Sequence, residues 1–456
     1  YVVVLNGEIY NHLNLRQEVE NKKNFNNWIS TSDTETLTVL LDFYGIEKTL
    51  EMIEGMYAIC IFYRLENKIF LIRDRVGEKP LYYSYQNKIF LFGSELKALI
   101  QSKVFTKKLN VNSIDSYLKL KNVPSPHSVF ENTWKLDPGK YLILDINTLN
   151  FKINTYWSIK RIIKNQNSNI LNNTNHIESV EGLLKNSIHK QLISDRPIGC
   201  FLSGGVDSSV IASLASNISE NKIKTFTIGF NDSRFNEAEI AKQIANKLNT
   251  DHHEYYFNEK ELLDNVGKIP EIYDEPFSDS SQLPTILLCQ KTKKKVTVAL
   301  SGDGGDELFS GYNRYYFVQK YWPYIKILPY SLRNKISNFL IYCNNKVFNI
   351  IIKRLEFFFS KKKKSPLNLQ NLLIKSIYSF GAKNEKMLFE NLVSDNFEKE
   401  ILINNQSNFF ELYKDHKELN LNTSENFMYN DLINYFHNDI MTKVDRASMN
   451  SSLETR

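Results

Sequence analysis

The chain has 456 residues, a formal net charge of +6, 42% hydrophobic and 24% charged residues. That length suits two or three domains at roughly one per 150 residues, and its lysines are spread too widely to build a nucleic-acid face. No apolar run nears the ~20 residues that span a bilayer, and four cysteines without a C-x-x-C pair argue for reduced thiols, as in a cytoplasm, against a disulfide frame or zinc site.

Residues 1–5 read as a strand that runs into Asn6-Gly7-Glu8-Ile9-Tyr10-Asn11. An Asn side-chain amide beside a Gly backbone N–H is the donor pair of an oxyanion hole, although Asn-Gly is equally a turn signal. Asp33-Thr34-Glu35-Thr36 comes next. Alternation in residues 56–63 and 69–73 predicts adjacent strands, and 81–85 with 89–92 predicts a hairpin turning at Gln86-Asn87. This stretch also holds Arg73-Asp74-Arg75-Val76-Gly77-Glu78-Lys79-Pro80-Leu81-Tyr82-Tyr83 and Gly93-Ser94-Glu95-Leu96-Lys97-Ala98-Leu99. Antiparallel strands dominate as far as Trp157. Residues 158–176 are rich in Asn, Ile, Lys and Ser and have no period, which suits a linker.

Beyond it the pattern changes to alternating strands and helices. The apolar run 198–202 leads into Ser203-Gly204-Gly205-Val206-Asp207-Ser208-Ser209, which opens a helical pattern. Backbone N–H groups, hydroxyls and a helix N-terminus then converge on a volume suited to pyrophosphate. The spacing is neither that of the Walker loop nor of the dinucleotide G-x-G-x-x-G; it resembles the PP-loop of the ATP pyrophosphatases. Residues 224–230 read as a strand, 236–249 as a helix through Ile240, Ile244, Ala245 and Leu248, and 253–257 as a strand. This βαβ order implies a parallel sheet with ligands beyond the carboxyl ends of its strands. Ile228 is placed there to line an adenine pocket, or simply to fill the core. A further strand over 295–300 ends in Ser301-Gly302-Asp303-Gly304-Gly305-Asp306-Glu307. Carboxylates beside phosphates need a cation between them, so Asp207 and Asp306 are candidate Mg²⁺ ligands. His252-His253 has no third ligand at metal spacing and reads as structural. Residues 322–360, with Ile350 to Ile352 and Phe357 to Phe359, read as packed helices with solvated basic faces in preference to a membrane surface, and Lys361 to Lys364 form one dense basic run.

Six motifs in order, from Asn-Gly-Glu-Ile-Tyr-Asn to Asp445-Arg446-Ala447-Ser448-Met449 with Leu453-Glu454-Thr455-Arg456, resemble the glutamine-hydrolysing asparagine synthetases over nearly the whole chain. The resemblance implies an Ntn-hydrolase-type (class II) glutamine amidotransferase domain over 1–157, an antiparallel sheet sandwich, and a parallel-sheet PP-loop synthetase domain over 177–456. It places the oxyanion hole at Asn6 and Gly7, and the grip on the amino end of glutamine at Glu8 and Asp33. Ser203, Gly204, Gly205, Asp207, Ser208 and Ser209 correspond to the pyrophosphate loop, with Asp207 and Asp306 as the metal pair. Phe201 or Leu202 and Ile228 correspond to adenine contacts, and Ser301 and Gly302 to further ATP contacts. Asp303 matches an acidic position tied to acyl-adenylate formation, where better-known members carry Glu. Arg446, Glu454 and Arg456 lie in a segment that approaches the acceptor. The implied partners are glutamine, aspartate, ATP and Mg²⁺, with room for a homodimer and no call for nucleic acid or membrane.

Two departures qualify this. The family's nucleophilic cysteine precedes Asn-Gly-Glu, and the family continues past the final arginine, so the chain is expected to be part of a longer protein. Cys60, Cys200 and Cys289 sit in apolar patterns and Cys343 in a basic helical one, so none replaces the nucleophile. Asp274-Glu275-Pro276-Phe277-Ser278-Asp279-Ser280-Ser281 resembles one branch of the family and lacks the Thr-x-x-Arg of another. A sugar acid in surface-polysaccharide synthesis therefore stays open as acceptor, as does a cyclising enzyme like the β-lactam synthetases.

Overall fold

The computed structural model describes residues 1–165, 175–230, 236–343, 369–394, 413–414 and 416–456. The runs 350–352, 357–359 and 361–364, residues 166–174 of the 158–176 linker and the side chain of Cys343 lie outside the described residues.

The N-terminal half contains strands β1 (Val2–Ile9), β2 (Gly55–Tyr63), β3 (Lys68–Arg73), β4 (Tyr82–Gln86), β5 (Ile89–Gly93), β6 (Thr133–Lys135), β7 (Lys140–Asp145) and β8 (Phe151–Thr155). They form a sheet in the order β1-β2-β3-β7-β8 and a smaller one in the order β5-β4-β6, every pairing antiparallel. The pleat decides the layering. On β2, Tyr57, Ile59 and Ile61 turn toward Leu37, Leu40 and Leu41 of the helix Asp33–Met52, while Ala58 and Cys60 turn toward Tyr83 of the smaller sheet and Leu136 just beyond it. Period two therefore buries both faces, giving a helix layer and two sheet layers. The β4–β5 hairpin turns through Asn87 and Lys88, one residue later than read, because both can take positive φ (52° and 61°), the pattern that matches strand twist, while Gln86 pairs with Ile89.

The C-terminal half contains β9 (Ile198–Phe201), β10 (Lys224–Phe230), β11 (Asp251–Phe257), β12 (Val298–Leu300) and β13 (Glu454–Thr455) in the order β11-β10-β9-β12-β13, all parallel. Ala212, Ala215, Ala241 and Ala245 let the helices Val206–Ile218 and Ala238–Leu248 lie close on one face. Ile286, Cys289 and Ala447, from Gln282–Thr292 and Thr442–Asn450, cover the other. The chain thus combines antiparallel sheet layers with a doubly covered parallel sheet, as its two patterns predict.

Three further details differ from the sequence reading. The strand expected over 295–300 begins at Val298, because the N–H groups of Lys295 and Val296 return to Thr292 O at 2.9 and 3.0 Å and close the preceding helix. The start of the expected linker is helical, Ile159–Asn165. The two-residue β13 carries no period to read, yet it extends the sheet and delivers Arg456, whose N–H donates to Ala299 O at 3.0 Å.

Candidate active site

β9 and β12 are parallel neighbours, so the loops that follow them leave the same edge of the sheet side by side. The helix Val206–Ile218 opens at Gly205 without a side-chain cap, which leaves its first N–H groups for an anion. The loop is braced internally. Ser208 Oγ lies 3.0 Å from Ser203 Oγ, and Ser209 Oγ donates to Gly205 O at 2.6 Å. The second loop presses against the first, where a Cβ on Gly302 would fall 2.8 Å from Ser208 N and one on Gly305 2.5 Å from Asp207 Cγ. Only glycine permits that approach.

The loops bring carboxylates together. Burial, then Asp306, then Asp303 push the Asp207 carboxyl above its ordinary range, as expected of like charges without a counter-ion. Ser301 Oγ donates to Asp303, and the Asp303 N–H returns to Ser301 Oγ at 3.3 Å. Among the described residues no group of three or more His, Cys, Asp or Glu side chains is placed to hold a metal alone. Two facing carboxylates do fit Mg²⁺, which completes its octahedron with phosphate oxygens and water. Leu202 is buried and donates its N–H to Phe226 O at 2.9 Å, while Phe201 and Ile228 are half-buried at the same strand ends. His252 and His253 are structural, bonded to Thr225 Oγ1 at 2.9 Å and stacked on Phe226.

In the N-terminal half, Asn6 and Gly7 oppose Ala58 and Tyr57 across the ladder, and Asn6 Nδ2 donates to Ser94 Oγ at 2.9 Å. Asp33, in the first turn of its helix, accepts the Ile9 N–H at 2.9 Å and so ties that helix to the end of β1. Glu8 lies between them; burial raises its carboxyl to about 7, with Arg456 opposing and Glu454 and Asp33 adding to the rise. Burial also pushes the Cys60 and Cys200 thiols to about 11 and about 12 and Cys289 higher still, so none is a ready thiolate.

The structure does not turn the two terminal arginines toward one acceptor. Arg446 is buried, paired to Asp445 and, through Nη1 at 2.8 Å, to Glu95. Arg456 bonds Glu454 at 2.6 Å and the carbonyls of Gln191 and Ile193 at 2.8 Å, and approaches Glu8 at 3.5 Å. These contacts belong to a seam of charge between the halves that spacing could not reveal. Lys79 Nζ meets Asp445 Oδ1 at 2.9 Å, Lys97 Nζ meets Asp274 Oδ1 at 3.5 Å, and Glu275 takes Lys135 Nζ at 2.6 Å and the Val129 N–H at 2.7 Å. Lys79 is delivered by a loop whose backbone hangs on one carboxylate: Asp74 accepts the N–H groups of Val76, Gly77, Glu78 and Lys79. Beside this seam a cavity of about 200 Å³ runs from Met56, Glu78 and Lys79 to Ser301, Asp303 and Arg456.

An antiparallel sheet sandwich joined to a parallel sheet with paired glycine loops at one strand edge defines a two-part class of protein. The asparagine synthase profile matches residues 179–456 and a glutamine amidotransferase domain profile matches residues 1–157. The chain belongs to the asparagine synthase family. It is 35% identical over 375 residues to a Methanocaldococcus jannaschii protein described as an inferred glutamine-hydrolysing asparagine synthetase, covering 79% of this chain and 70% of that one. It is 33% identical over 318 residues to glutamine-hydrolysing asparagine synthetase 1 of Bacillus subtilis, covering 69% of this chain and 48% of that one. The chain thus spans between about half and 70% of the length of these two relatives. A solved glutamine phosphoribosylpyrophosphate amidotransferase from Bacillus subtilis aligns at 15% identity and a TM-score of 0.25, over 66% of this chain and 55% of that one, too slight a likeness to bear on the argument.

Proposed function

We propose that the protein to which this chain belongs converts aspartate to asparagine, cleaving ATP to AMP and pyrophosphate and taking ammonia from glutamine. The observation that carries this reading is the contact of the two loops, with Gly305 against the Asp207 carboxyl. In this reading ATP lies across both loops, its phosphates at the uncapped helix start and its adenine near Phe201, Leu202 and Ile228. A side-chain carboxylate oxygen of aspartate attacks the α-phosphorus, pyrophosphate leaves, and the β-aspartyl-adenylate forms beside Ser301, Gly302 and Asp303. Ammonia then displaces AMP. Mg²⁺ bound by Asp207 and Asp306 would offset the phosphate charge.

Asn6 and Gly7 supply the oxyanion donors for glutamine, and Glu8 and Asp33 the acceptors for its ammonium. The seam cavity is suited to pass ammonia between the sites away from bulk water, where it would be protonated. ATP chemistry favours a cytoplasmic setting, and no described helix is long and apolar enough to cross a membrane. The test is AMP release by the full-length protein with ammonia and either aspartate or a panel of uronic acids. Aspartate alone is expected to stimulate; stimulation by a uronic acid and not by aspartate discards the assignment.

A further inference from the structure

A second cavity, of about 220 Å³, opens between the halves, lined by Asn122, Asp279, Arg314, Asp431, Tyr435 and Asp439 among others. That volume suits a small metabolite and no more. Asp431 is fully buried; its Oδ2 accepts Arg314 Nε at 2.8 Å and the Tyr315 hydroxyl at 2.6 Å, yet its Oδ1 has no partner. The Arg314 guanidinium carbon lies 4.0 Å from the centre of the Tyr312 ring, and its Nη2 has no partner either. Across the cavity Asp439, 5% exposed, is touched only weakly at Oδ2 by Asn122 Nδ2 at 3.5 Å, and its Oδ1 is again unpartnered. Buried polar atoms are nearly always paired, so a guanidinium nitrogen and carboxylate oxygens left open on one cavity point to a ligand carrying both charges.

Side-chain contacts link the cavity to the adenylation loop. Lys443 Nζ lies 3.5 Å from Asp279 Oδ1, and both charges act on Asp303. Tyr312, beneath Arg314, donates to Glu307 of the second loop at 2.6 Å. The arginines of the terminal segment are occupied at the seam, whereas Arg314 and Asp439 are free for a ligand at these atoms.

We propose that this cavity seats the amino-acid end of the acceptor, its α-carboxylate on Arg314 and its α-ammonium on Asp439, with the second carboxylate directed toward the second glycine loop. The proposal rests on the amidation reading and names its selectivity site. A planar guanidinium suits a carboxylate, and an anionic pocket wall rejects a succinate-like acceptor without the ammonium.

The test uses the full-length enzyme with ammonia as nitrogen donor and AMP release as readout, comparing aspartate with succinate, which lacks the amino group, and β-alanine, which lacks the α-carboxylate. Asp439→Asn is expected to raise the aspartate KM tenfold or more, keep the ATP KM within twofold and shrink the preference over succinate. Arg314→Lys is expected to shrink the preference over β-alanine instead. A general folding defect would move neither preference selectively, and thermal melts of both variants check it. Unchanged aspartate KM and preferences in both variants would overturn the site while leaving the amidation reading intact. That reading fails on a different result, a wild-type enzyme that aspartate does not stimulate.

Discussion

At the seam, Asp445 is buried between Lys79 and Arg446; burial alone would raise its carboxyl, but the two cations hold it below its ordinary range. At the glycine loops, Asp207 faces Asp306 and Asp303 with no cation beside it, and its carboxyl rises. The same residue type thus does opposite work a short way along the molecule. Charges satisfied within the protein hold the halves together, and charges of one sign left facing each other await a ligand.

The comparison breaks most sharply at Asp207. Asp207→Asn should lower pyrophosphate formation roughly a hundredfold or more, because a charge meeting the phosphate group's metal is lost, while chemical denaturation stays within about 0.5 kcal/mol of wild type. Asp445→Ala should do the reverse. It leaves Lys79 buried without its carboxylate and Arg446 with Glu95 alone, and should cost about 3–5 kcal/mol of stability, read from denaturant midpoints, with the ATP KM less affected than the melt. Equal effects of both substitutions on activity and stability would erase the distinction between the regions.

Asp439 sharpens it further. Burial, then Asp279, raise its carboxyl to about 7 from an ordinary 3.8, with Lys443 opposing. A raised acid favours folding most when protonated, so its contribution is fully present below about pH 4 and is lost as pH climbs through 7. The wild type should lose roughly 2–4 kcal/mol over that window relative to Asp439→Asn. Parallel stability curves for the two proteins would show that the carboxyl is not confined as described.

The strands were legible where a period could accumulate. Residues 56–63 alternate because each face of β2 meets a different layer, and β10 runs over Lys224–Phe230, as read. The glycine loops were legible too, since chemistry and spacing coincide within seven residues. The seam was not. Lys79 and Asp445 are 366 positions apart, and no local pattern distinguishes a lysine that reaches another half from one that faces water. Asp274 and Glu275 mislead for the same reason: in sequence they adjoin Asp279 beside the cavity, yet their side chains hold Lys97 and Lys135 across the seam. Arg314 had no signal beyond its place after the second loop, and only the fold brings it to the cavity of Asp439.

The central claim is that the paired loops activate a carboxylate by adenylation. Aspartate labelled with ¹⁸O in its side-chain carboxylate, turned over by the full-length protein with ATP and ammonia, tests it directly. The account predicts one ¹⁸O in the phosphate of AMP and none in pyrophosphate. ADP with the label in inorganic phosphate would contradict it.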